Sequence, residues 1–155
     1  MLFILILLAL VGSGLMAGLF FAFSTFIMRA LGKRPASVGI AAMQSINETI
    51  LNPIFFTVFF GTAVLSAALA VLAVVHWGQA ESMWFLAGAI LYLAGSIGIT
   101  MLGNVPLNNA LAKVAPDSDE GPALWNRYRT NWTGYNHVRT IACLGAMICF
   151  VLALI

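Results

Sequence analysis

The run Leu2-Phe-Ile-Leu-Ile-Leu-Leu-Ala-Leu-Val-Gly-Ser-Gly-Leu-Met-Ala-Gly-Leu-Phe-Phe-Ala-Phe-Ser-Thr-Phe-Ile-Met-Arg-Ala30 decides the fold. Its only charge is Arg29, at the far end. It exceeds the ~20 apolar residues that a helix needs to cross ~30 Å of hydrocarbon. Three further stretches, Pro53–Val75, Met83–Gly103 and Trp132–Ile155, reach the same length. Composition agrees: 62% of residues are hydrophobic and 8% charged, whereas soluble domains carry about 25% charge. The sequence therefore predicts an all-α integral membrane protein, a four-helix antiparallel bundle forming one membrane domain over residues 1–155. The expected spans are 2–30, 53–75, 83–103 and 132–155, with an extra amphipathic segment at 37–51 before helix 2.

The basic residues orient the bundle. Arg29, Lys33, Arg34, Lys113, Arg127, Arg129 and Arg139 all fall at the ends of helices or in connections on one side. The opposite connection, His76 to Ser82, has no Lys or Arg. The positive-inside rule then makes both basic connections cytoplasmic and puts both termini outside, in a plasma or inner membrane. With a net charge of +2 and no basic stripe, the chain lacks a nucleic-acid footprint. Its expected partner is the lipid bilayer, with the basic residues among anionic headgroups. No positive residue precedes the first apolar run, which is far longer than the ~7–15 residues of a signal-peptide core, so cleavage is not expected. Cys143 and Cys149 point about 240° apart on one helix and read as small buried apolar residues.

Helix 1 contains Gly14-Leu-Met-Ala-Gly18, a small-xxx-small pattern that permits close helix approach. Its basic half, Phe20 to Phe26, is crowded with aromatic rings, either lipid-facing bulk or one wall of an aromatic pocket. In the amphipathic segment Gln44, Asn47, Glu48 and Leu51 form a stripe. Asn52-Pro53 reads as an N-cap with proline at the first helical position, or as a kink in a continuous helix. His76, Trp77 and Trp84 match an outer aromatic belt. Pro106 disfavours a helical Val105, so helix 3 is expected to break or bend there. Ala115 to Pro122 reads as a solvated turn, followed by the polar, aromatic run Trp125 to Thr140.

Polar side chains gather at the basic end. Asn104 and Asn108 end helix 3; Gln44, Asn47, Glu48 and Asn52 precede helix 2; Thr133, Asn136, His137, Arg139 and Thr140 open helix 4. At about 100° per residue, the polar groups of helix 4 share an arc of about 160°. One reading makes them caps, loop ties and headgroup contacts. The other makes them a wet cavity just inside the membrane. There His137 is the natural general base, and Arg139, with nearby Asn amides, can stabilise an oxyanion. Glu48 can orient His137 or pair with Arg139. About 160° separates His137 from Arg139, which leaves open whether they line one cavity. One histidine and one acid on this side fall short of a metal site. Without a phosphate loop or dinucleotide fingerprint, no cofactor is expected.

Met43-Gln-Ser-Ile-Asn47, Asn52-Pro-Ile-Phe-Phe56, Asn104-Val-Pro-Leu-Asn-Asn-Ala-Leu111 and Trp125 through Trp132-Thr-Gly-Tyr-Asn-His-Val-Arg-Thr140 resemble the DUF1772, or anthrone oxygenase-like, family. The resemblance covers nearly the whole chain. It implies a small four-helix membrane protein, and some fungal members are implicated in oxidising polyketide anthrones to anthraquinones with O2, without a cofactor. A mechanism that fits both the polar cluster and the resemblance takes His137 as base and Arg139, Asn104 and Asn136 as holders of the substrate oxygen. Trp132 and the Phe-rich helix halves would sandwich a flat aromatic substrate arriving from the lipid, with Gln44, Asn47, Glu48, Asn52 and Asn108 around it. A small-solute binding or transport protein and a non-catalytic accessory subunit are the alternatives. The substrate and oligomeric state are not readable from the sequence.

Overall fold

In hydrocarbon a backbone N–H or C=O has no water to bond, so each apolar stretch closes its hydrogen bonds internally as a helix. The computed structural model describes Met1–Ile155. It contains α1 (Leu2–Gly32), α2 (Ala36–Thr49), α3 (Pro53–Val75), α4 (Ser82–Ala112) and α5 (Gly121–Leu152), and no strand. α1, α3, α4 and α5 are long and apolar enough to cross a membrane. They alternate in direction, so both termini and the His76–Ser82 turn lie at one end. The basic connections and α2 lie at the other. Leu15, Val64, Ile90 and Ile148 are exposed on the outside of the bundle. In water such a surface would aggregate, but it suits lipid.

Two cores hold the bundle. The long one runs between the four spans and includes Met16, Phe20, Phe59, Leu69, Tyr92, Cys143 and Phe150. Inside it the buried Tyr92 hydroxyl donates to the Phe59 carbonyl at 3.0 Å, tying α4 to α3. The second core sits at the basic end, where α2 buries Ile40 and Met43 against Met28, Leu111, Trp125, Tyr128 and Trp132. Asn52 caps α3: its Oδ1 accepts from the Phe55 N–H at 3.0 Å, with Pro53 opening the helix. That resolves Asn52-Pro53 as a helix start. The far turn is closed by Gly78 at φ +99, a conformation that favours glycine. The Ser82 hydroxyl donates to the His76 carbonyl at 2.7 Å across it.

Two helices run further than the sequence indicates. α4 continues past Gly103 to Ala112. Instead of breaking at Pro106 it widens into π-helical turns at Leu91–Gly98 and Thr100–Asn104, and Pro106 lies in the first turn of the α-helical segment that follows. A widened turn relieves the clash between the proline ring and the carbonyl four residues back. α5 begins at Gly121 rather than Trp132, with Pro122 in its first turn, where a missing N–H is tolerated. The Trp125–Thr140 run is therefore helical and projects its aromatic rings beneath α2.

Close approach in α1 is made by Gly12, which faces Thr62 of α3 with no room for a methyl group. Of the Gly14/Gly18 pair, Gly14 meets only the Met147 sulfur and Gly18 faces open space. At the basic end the equivalent contact is Gly39, where an added Cβ would stand 2.6 Å from the Trp125 ring. Replacing Gly39 by Val should force α2 off Trp125 at a cost of about 1–3 kcal/mol. Thermal unfolding in detergent should show a lower Tm, with faster proteolysis of the 33–52 region than in the parent protein.

Candidate functional site

α5 presents two different faces at the basic end. Trp125, Tyr128, Trp132, Asn136, Arg139 and Thr140 are buried. His137 is exposed, one residue round from Asn136. These faces build three separate arrangements.

The innermost surrounds Arg139, which is only 5% exposed. Its Nη2 donates to Asn136 Oδ1 at 2.6 Å and its Nη1 to Thr100 Oγ1 at 3.2 Å, while Nε has no partner. The guanidinium carbon lies 4.1 Å from the Phe20 ring centroid and 5.2 Å from that of Trp132. Its hydrogen-bond partners are neutral. A desolvated guanidinium gains about 2 kcal/mol from such ring faces, which offsets part of the cost of burying an unpaired charge. Asn136 passes the tie to α1: its Nδ2 donates to the Phe20 carbonyl and to Ser24 Oγ, both at 2.7 Å. Ser24 and Thr140 hydroxyls meet at 3.1 Å.

The second arrangement roofs the first. Asn108 Oδ1 accepts from the Tyr128 hydroxyl and from Trp132 Nε1, each at 2.9 Å. Asn47 Nδ2 donates to the Tyr128 hydroxyl at 3.4 Å, a weak contact. Asn104 Nδ2 donates to the Trp132 carbonyl at 3.1 Å, and its buried Oδ1 has no partner. Tyr128 stacks between Trp125 and Trp132, with centroids 5.7 and 6.2 Å away. Phe23 closes on Trp132 at 5.5 Å.

The third is a groove on the outside, between α1 and α5. Its basic part is an open depression of about 330 Å³ lined by Ser24, Met28, Arg29, Arg129, Thr130, Thr133, Gly134 and His137. A contiguous part of about 470 Å³ shares Ser24, Arg29 and His137, and adds Phe21, Ile141 and Leu144 toward the apolar surface. These volumes fall in the range of small-ligand clefts. Thr133 Oγ1 is buried there without a hydrogen-bond partner. The groove is thus basic and hydroxylated at one end and apolar at the other. Two guanidiniums and an imidazole can bind an anion or move a proton. No three His, Cys, Asp or Glu side chains come together as a metal-ligand set.

The predicted site residues divide accordingly. His137 and Arg139 do not share a cavity: His137 opens into the groove, while Arg139 turns into the bundle. Asn104, Asn108, Trp132 and Asn136 surround the interior, with their polar atoms largely spent on the protein itself. Gln44 holds the end of α4, its Nε2 donating to the Leu111 and Val114 carbonyls at 2.9 Å each. Asn52 is the N-cap, its Nδ2 donating to the Thr49 carbonyl at 3.1 Å. Glu48 is exposed and pairs with neither His137 nor Arg139. The groove residues Ser24, Arg29, Arg129 and Thr130 were not singled out from the sequence, because both arginines read as headgroup contacts. A signal was present: on a continuous helix Arg129, Thr133 and His137 stack at four-residue spacing.

Replacing Asn108 by Leu keeps the branching and the number of side-chain heavy atoms but removes the acceptor for two donors. Each group left unpaired in the interior costs about 1–3 kcal/mol. Asn108→Leu should therefore lower the Tm in detergent distinctly more than Asn47→Ala, which loses only the longer contact.

The family described as anthrone oxygenase matches residues 55–149, from the first turn of α3 almost to the end of α5. No curated protein and no solved structure matches the chain. The matched region contains α4 and nearly all of α3 and α5, with Asn104, Asn108, Trp132, Asn136, His137 and Arg139. This four-span membrane protein belongs to the anthrone oxygenase family.

Proposed function

We propose that the protein oxidises a lipophilic aromatic carbon acid of the anthrone type with O2, in the groove between α1 and α5. The observation that supports this most is the setting of His137. It opens beside Arg29 and the hydroxyl-bearing residues Ser24, Thr133 and Thr140, at the junction of the basic and apolar parts of the groove. A flat aromatic molecule can slide in from the lipid along Phe21, Ile141 and Leu144 and bring its polar carbon to the imidazole.

The chemistry follows from the substrate's own electronics. His137 removes a proton from the methylene opposite the ring carbonyl. The electron pair delocalises onto the carbonyl oxygen, where the Arg29 guanidinium stabilises the growing negative charge. The electron-rich carbanion reduces O2 and forms the new C–O bond, giving a peroxide that the imidazolium protonates. Loss of the second methylene proton expels hydroxide from the O–O bond and leaves a carbonyl. The sum is CH2 + O2 → C=O + H2O, and the four electrons come from the substrate carbon. This route calls on no metal or organic cofactor. Arg139 acts here as a positioning residue, since it fixes Asn136, and Asn136 fixes Ser24 on the groove wall. By the positive-inside rule, the groove's basic end faces the cytoplasm.

Purified protein in detergent, given an anthrone, should consume O2 above the spontaneous rate, with one quinone formed per O2. General base catalysis contributes about 10²–10⁴-fold, so His137→Ala should return the rate close to background while its Tm stays that of the parent. Unchanged turnover in that variant would remove His137 from the mechanism. No uptake by a well-folded parent protein would remove the oxygenase.

A further inference from the structure

The groove holds two guanidiniums, and the reaction above uses only one. Arg29 lines both parts of the groove with His137, whereas Arg129 lines only the basic part. Eight residues of continuous helix separate Arg129 from His137, about 12 Å along the axis. A group at Arg129 therefore meets a different part of any molecule whose reacting carbon is at His137. Arg129 is also held in place. It is half-buried, and its Nη1 donates to the Gly32 carbonyl at 3.1 Å, leaving most of the five guanidinium N–H donors unused. Arg127, two residues away on the same helix, is exposed and lines neither part. None of the five acidic residues lines the groove, so the positive end has no internal counter-charge. The unpartnered Thr133 hydroxyl lies between the two ends.

We infer that the natural substrate carries a carboxylate at the end of its ring system remote from the reacting carbon, and that Arg129 is the specificity residue that holds it. The planar guanidinium fork matches a carboxylate with two parallel hydrogen bonds, and a carboxylate is ionised at neutral pH. The polar end anchors at Arg129, the rings pass His137, and the apolar flank rests on Ile141 and Leu144. This inference rests on the oxygenase reading for the position of the reacting carbon. An anionic lipid headgroup presents the same chemistry, so the test must separate the two sources.

The probes are anthracene-2-carboxylate and 2-hydroxymethylanthracene, titrated by fluorescence against the protein in phosphatidylcholine nanodiscs and corrected for partition into empty discs. The carboxylate should bind about tenfold tighter or better, as a fixed charge pair requires. Arg129→Glu should erase that preference, and a Tm equal to the parent's reports that the fold around the groove is intact. Arg127→Glu should leave the preference in place. Equal affinities in the parent protein, or equal loss in both charge-reversal variants, would overturn the inference. So would phosphatidylglycerol in the discs abolishing carboxylate binding, since the groove would then be a headgroup seat. Neither probe has the acidic ring methylene opposite a carbonyl on which the proposed oxidation acts. Failure of this test therefore leaves the oxygenase reading standing, and failure to consume O2 leaves a carboxylate preference standing.

Discussion

The hydrogen bond from Arg139 Nη2 to Asn136 Oδ1, 2.6 Å long, governs how three helices meet at the basic end. An unpaired guanidinium inside a membrane bundle demands an acceptor, because leaving it bare costs several kcal/mol. That demand fixes which way the Asn136 carboxamide points: its NH2 group facing the guanidinium would be repulsive. With the oxygen committed, Nδ2 must turn to α1, where the Phe20 carbonyl and Ser24 receive it. The second guanidinium nitrogen reaches Thr100 on α4. One cation thus sets the register of α1, α4 and α5, and the rings of Phe20 and Trp132 shield it.

The same geometry separates structure from chemistry on a single helix. Arg139 faces inward and His137 outward. The interior is a polar network nearly closed on itself, roofed by Asn108, Tyr128 and Trp132. The groove is open, uncompensated in charge, and reaches both the polar margin and the lipid. A π-helical turn at Phe23–Ile27 interrupts α1 within its wall. Such turns shift the facing of the residues on either side. Here Ser24 and Met28 are buried toward α5, while Arg29 remains exposed at the groove. Ser24 joins the two regions, since it accepts from Asn136 on one side and lines the groove on the other.

Much of the fold was legible in the sequence because its cause is local. Long apolar runs of the Leu2–Ala30 kind admit one solution in a bilayer, and the basic residues mark one end. The N-cap at Asn52 was legible for the same reason. The lengths of α4 and α5 were not. Pro106 argues against helix by a rule about regular α-geometry, which a π-helical turn escapes. The polar run after Trp125 looks like a connection until its aromatic rings find α2. For the site, the sequence located the end of the bundle but not the partition of its residues. The angle between His137 and Arg139 was computable. What each faced depended on how α1 packs, and that is set by Gly12 and the π-helical turn rather than by any motif. Arg29 and Arg129 were hidden by a sufficient alternative, since Lys and Arg are common at the cytoplasmic ends of membrane helices.

The most direct test of the groove as the site is to map where a flat aromatic ligand sits. A photoreactive anthrone analogue can be cross-linked to the protein in nanodiscs and the adducts located by mass spectrometry. Adducts on Phe21–Arg29 of α1 and Thr133–Leu144 of α5, competed away by excess anthrone, are the predicted result. Competable adducts on Thr100–Asn108 of α4, which lines the Arg139 interior and not the groove, would contradict it and return the chemistry to the buried cluster.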